Sequence, residues 1–151
     1  MIINKSGIMN SFFSSYPVEN ATMQDAVTYV SVLFTLAAID SVVEKEAEGI
    51  RRLVESNKWN PEIFTEAQKN TNITIESLNL SKEFIDVMAP YLIRDLCAVA
   101  LISEGFSEEE EQFIHSVCNK VGVSEENYLK IRKAVTSQVE SISNWAEVIA
   151  V

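Results

Sequence analysis

Two stretches of this chain, Met23 to Asp40 and Pro90 to Glu104, read as helices that are apolar almost all the way round. In the first, Ala26, Val27, Val30, Leu33, Phe34, Ala37 and Ala38 leave no wide polar face; in the second, Leu92, Ile93, Leu96, Val99, Ala100 and Ile102 do the same. A helix of that kind cannot lie on a surface, so each must be enclosed by other elements. With 4 glycines, 3 prolines and little strict apolar alternation, the enclosing elements are expected to be helices on short loops rather than strands. The fold class that follows is all-α, a compact bundle of about seven helices.

Start and stop signals place the remaining elements. Thr22 is the expected N-cap of the first central helix, with Asp25 reaching back to the cap amide. After a loop over Ser41 to Val43, the one-sided stripe Ala47, Ile50, Leu53 and Val54 marks a surface helix to about Asn57. Asn60 followed by Pro61 opens a third helix with Ile63, Phe64 and Ala67 inward. Asn70 to Leu80 reads as a loop entering a short helix; Ser81 caps a segment through Met88, and Pro90 opens the second central helix. Ser107 and Glu110 form a capping box for a helix carrying Phe113, Ile114, Val117 and Val121, and Ser124 caps a last helix through Ile142. Trp145 and the tail to Val151 are expected to fold back or meet a partner, and Trp59 to anchor the core or an interface.

A length of 151 residues suits one domain spanning 1–151. Its 22 acidic against 12 basic residues give a net charge of -10, which repels phosphate backbones and anionic lipid and argues against nucleic acid as a partner. Met1 to Tyr16 lacks the continuous apolar run of an export signal. Val27 to Ile39, the longest apolar-rich run, is short of the roughly 20 residues that span a bilayer, so membrane insertion is not expected. Cys97 and Cys118 sit within apolar helical patterns and read as buried thiols of a reducing, cytoplasmic compartment.

A shift of 64 residues lays Leu36 to Val54 on Ala100 to Cys118. Asp40 then falls on Glu104, Glu44 on Glu108, Glu46 on Glu110, Ile50 on Ile114, Arg51 on His115 and Leu53 on Val117, and the caps Asn60 and Ser124 coincide. The expectation is two pseudo-symmetric three-helix repeats, about 23–70 and about 90–143, packed on each other. The acidic turns read Ile39-Asp40-Ser41-Val42-Val43-Glu44-Lys45-Glu46 and Ser103-Glu104-Gly105-Phe106-Ser107-Glu108-Glu109-Glu110. This pattern resembles the tellurite-resistance TerB-like family, in which an Asp-Gly turn followed by Glu joins an apolar helix to an acidic one. The first copy departs from it in lacking the glycine, the second in having Glu for Asp. The resemblance covers about Met23 to Val139 and implies an all-helical cytoplasmic domain associated with tellurite and other stress responses, with no established reaction to carry over.

Asp40 and Glu104 fall at helix C-termini, where the dipole disfavours negative charge by about 0.3 to 1 kcal/mol. Two readings compensate for this. Each carboxylate accepts hydrogen bonds from free amides of the next helix, or Asp40, Glu44 and Glu46, and likewise Glu104, Glu108 and Glu110, hold a calcium or magnesium ion weakly. His115 has Glu111 and Cys118 near it in sequence but no second cluster to complete a zinc site, so it reads as a surface or interface residue. The run Glu108 to Glu111 is a solvated face or the complement of a basic partner. The functional expectation is a non-catalytic module working through a protein partner or self-association; the alternative is a metal-dependent hydrolase using the acidic turns.

Overall fold

The computed structural model describes residues 21–40, 44–102 and 106–149. Among these residues it is all-helical, with six α-helices, one 3₁₀ turn and no strand. The helices are α1 (Met23–Ala37), continued by the 3₁₀ turn Ala38–Asp40, α2 (Glu44–Ser56), α3 (Glu62–Gln68), α4 (Lys82–Ile102), α5 (Glu108–Val121) and α6 (Glu125–Ile149).

α1 and α4 are the two central helices and pack against each other. Val30, Val32, Leu33 and Leu36 of α1 and Ile93, Leu96, Val99 and Ala100 of α4 are fully buried. α2 and α3 cover α1, while α5 and α6 cover α4. α2 lies on the surface as its stripe requires, burying Ile50, Leu53 and Val54 and turning Arg51 outward to Glu48 and Glu55 at 2.5 Å. Such exposed pairs are screened by solvent and add little to the stability of the helix. Three aromatic contacts close the α1 side: Tyr29 meets Trp59 and Phe84 edge-on, with centroids 6.0 and 5.8 Å apart, and Phe34 meets Phe64 at 5.5 Å. Trp59 therefore serves the core.

The structure corrects three local expectations. The segment ending at Met88 and the helix opening at Pro90 are one helix, α4, with Pro90 inside it, so six helices replace the expected seven among the described residues. Pro90 removes the amide that would reach the carbonyl of Asp86, and both residues are exposed. Met88, Ala89, Leu92 and Ile93, buried around the proline, hold the helix together across it. Residues 70–80 form no helix of their own. Thr74 and Ser77 instead close a turn on themselves, the Thr35 hydroxyl accepts the Ile73 amide at 3.1 Å, and Leu78 and Leu80 are buried. The last helix does not fold back after Ile142 but continues to Ile149; the side chain of Trp145 lies outside the described residues.

Caps follow the sequence closely. The Thr22 hydroxyl accepts the Asp25 amide at 3.1 Å, Asn60 Oδ1 accepts the Glu62 amide at 3.0 Å and the Ser124 hydroxyl accepts the Asn127 amide at 3.2 Å. α5 ends on Gly122 at φ 83, a left-handed position that glycine adopts without a Cβ penalty, and the Gly122 amide donates to Cys118 O at 2.9 Å. α2 and α5 start 64 residues apart, at Glu44 and Glu108, and residues at that spacing share their burial: Glu46 with Glu110, Ile50 with Ile114, Leu53 with Val117.

Because Leu33 and Leu96 are both fully buried at the heart of this packing, truncating either to Ala should cost about 2 to 5 kcal/mol in urea melts. A loss below about 1 kcal/mol at both sites would contradict a core centred on α1 and α4.

Candidate functional site

The acidic turns are built where an apolar helix hands over to a polar one. In the first, the 3₁₀ turn Ala38–Asp40 tightens the end of α1 before α2 begins. Glu44 and Glu46 both lie in the first turn of α2, where the dipole favours them, but their environments differ: Glu44 is exposed and Glu46 is 2% exposed. In the second, Glu108 and Glu109 are exposed while Glu110 is 1% exposed. Glu110 Oε1 accepts the Ser107 amide at 3.1 Å and the Glu110 amide donates to the Ser107 hydroxyl at 3.2 Å, which is the expected capping box. The Asp40 side chain, Ser41 to Val43 and Ser103 to Gly105, Glu104 among them, lie outside the described residues. Among the described residues no three His, Cys, Asp or Glu side chains gather into a group that could hold a metal.

Two buried carboxylates organise the interior: Asp25, which the sequence reading gave to its own helix cap, and Asp95, which it did not place. Asp25 does not reach back to its own cap. Its Oδ1 accepts the Ser81 amide at 2.9 Å and its Oδ2 the Ser81 hydroxyl at 2.7 Å, tying the start of α1 to the start of α4. The capping-box expectation failed here because a tertiary partner with two donors outcompetes a single local amide. Asp95 is fully buried, receives the Tyr29 hydroxyl and pairs with Arg94 Nε at 3.0 Å. Its signal in the sequence is the adjacent charged pair Arg94-Asp95 in the middle of an otherwise apolar helical run.

On the other side of the bundle, α5 and α6 are joined by polar contacts. Arg132 donates to Glu111 at 2.6 Å and to the Tyr128 hydroxyl at 3.3 Å, and lies 4.0 Å above the Phe106 ring. His115 sits with Nδ1 3.2 Å from Glu125 and its ring 4.6 Å from that of Tyr128, half-exposed. It thus bridges two helices on the surface. Between α4 and α6 runs an open groove of about 230 Å³, lined by Pro90, Tyr91 and Arg94 on one side and Ile131, Ala134 and Gln138 on the other. These residues offer mainly apolar contact, with Tyr91, Arg94 and Gln138 as the polar side chains. No helix among the described residues is long and apolar enough to cross a membrane.

Cys97 and Cys118 are free and buried. Burial pushes the Cys97 thiol up to about 12 from its ordinary 9.0, and Cys118 adds to the shift. Burial, helped by Glu125, pushes the Cys118 thiol up to about 11. Folding raises both values, so the stability carried by the neutral thiols is complete below pH 9.0 and is lost as the pH rises through about 11 and about 12. The melting temperature is expected to fall above pH 9.0 more steeply than that of a Cys97→Val, Cys118→Val variant; parallel profiles would contradict the burial of the thiols.

No family model, curated protein or solved structure matches the chain.

Proposed function

We propose that this chain is a non-catalytic, acidic helical module of the TerB-like kind, acting in a cytoplasmic stress response through a basic protein partner or self-association. The observation that carries the reading is the division among its acids. Glu46 and Glu110 are buried, and Glu110 holds its own helix cap, whereas Glu44, Glu108 and Glu109 face solvent at the starts of α2 and α5. The inner acids serve the fold, and the outer ones leave a negative face on a chain whose net charge is -10. Such a face steers and orients a positively charged partner more than it binds a phosphate or a lipid headgroup.

The reading includes two related three-helix units, about 23–70 and about 90–143. The matching starts of α2 and α5 and the shared burial of residues 64 apart support it. It also includes weak calcium or magnesium binding at Asp40, Glu44 and Glu46 and at Glu104, Glu108 and Glu110. The alternative, a metal-dependent hydrolase, needs both acidic turns to converge on one metal site and, like weak cation binding at the second turn, needs Glu110 to give up its cap for a ligand role.

The test is binding of an arginine- and lysine-rich peptide followed by fluorescence anisotropy. Affinity is expected to fall with added salt and to drop about tenfold, or about 1.4 kcal/mol, in a Glu108→Lys, Glu109→Lys variant that melts like the wild type. Salt-insensitive binding unaffected by the charge reversal would defeat the proposal. A large rise in melting temperature with millimolar magnesium, together with turnover of a phosphoester, would favour the hydrolase.

A further inference from the structure

His115 continues the acidic face of α5. Glu108, Glu111 and His115 fall at i, i+3 and i+7, so the imidazole shares the side of the helix that begins with the exposed carboxylate of Glu108. Its two ring nitrogens face carboxylates on different helices. Nδ1 lies 3.2 Å from Glu125 Oε2 at the start of α6, and Nε2 lies 3.9 Å from Glu111 Oε1 on α5.

The other titratable and charged groups at this joint hold their charge states across the neutral range. From α6, the Tyr128 ring packs against the imidazole, and burial pushes its phenol up from 10.0. Arg132, also on α6, reaches the same Glu111 oxygen at 2.6 Å. Cys118, one turn after His115, and Cys97 of α4 are thiols that burial keeps neutral.

The two carboxylates are therefore not equivalent. Glu111 is held by arginine, a permanent cation, whereas Glu125 faces histidine, the side chain type that changes charge between about pH 5 and 8. A neutral imidazole carries one ring proton, which serves one carboxylate and leaves a lone pair toward the other; a second proton lets both nitrogens donate. The charged form thus ties α5 to α6 through Glu111 and Glu125, and sets one positive charge among the exposed carboxylates of Glu108, Glu109 and Glu125.

We propose that His115 is a pH-sensitive switch on the acidic face of α5. Neutral, it leaves that face and Glu125 open to a basic partner; charged, it engages both carboxylates, lowers the negative potential and releases the partner. The inference rests on the acidic-face reading of the function and adds the regulation of that face.

The test follows the arginine- and lysine-rich peptide, made without histidine, by fluorescence anisotropy at pH 7.5 and pH 5.5 and constant low ionic strength. Ordinary carboxylates stay largely ionised over that range, as do the peptide's own cations. Wild-type affinity is expected to fall about two- to fivefold between the two conditions, the effect of one elementary charge about 5 to 10 Å from the bound cations. In a His115→Gln variant that melts like the wild type, the ratio of the two affinities should be about one. His115→Lys, which fixes the charge, should bind at pH 7.5 as weakly as the wild type does at pH 5.5. A wild-type affinity that ignores pH, a pH effect that survives in His115→Gln, or a His115→Lys variant that binds like the wild type at pH 7.5 would overturn the switch and leave the acidic-face reading standing. Absence of binding at both pH values would defeat that reading and the switch with it.

Discussion

Helix α1, and α4 from Leu92 to Ala100, leave no wide face to water. Eleven of the fifteen residues of α1 are buried, and α4 is buried without interruption from Asp95 to Ala100. Each methylene removed from water contributes about 0.8 kcal/mol, so the two helices are driven together and the others are recruited as their cover. α2, α3, α5 and α6 can be one-sided because α1 and α4 are not. The acidic turns, the α5/α6 polar joint and the open groove are all surfaces of that cover.

The cost of so apolar a centre is low specificity, since greasy helices can pair in many registers. Polar links restrict the choice. Asp25 fixes the start of α1 against Ser81, and the Tyr29 hydroxyl on buried Asp95 fixes the middle of α1 against the middle of α4. An unpaired buried carboxylate would cost several kcal/mol, so registers that separate these partners are disfavoured. The Thr35 hydroxyl does the same for the loop over residues 70–80 by accepting the Ile73 amide.

What was legible in the sequence followed from local physics. Thr22, Asn60, Ser107 and Ser124 were readable as caps because a cap needs only a side-chain oxygen and the next turn's amides. The apolar girth of Met23 to Asp40 announced a buried helix. The failures came where a distant partner decided the outcome. Asp25 looked like a local cap and went to Ser81; Pro90 looked like a helix start and is carried inside α4 by the packing around it. In the acidic turns the sequence singled out six carboxylates and set apart Glu110 alone, as the capping-box partner of Ser107. Burial separates the four whose side chains are described, putting Glu46 and Glu110 inside and Glu44 and Glu108 outside, a distinction set by which face of α2 and α5 meets the core. Asp95 went unplaced because its partner, Tyr29, is 66 residues away.

If the α1/α4 pairing is the constraint on which everything else rests, it should be the last part of the molecule to open. Native-state hydrogen exchange measures this directly. The account predicts that the amides of Val30 to Leu36 and Leu92 to Ala100 exchange only through global unfolding, with a single free energy equal to that of denaturant melts, while those of α3 and α6 open earlier. Amides of α3 or α6 exchanging more slowly than those of the central pair would contradict it.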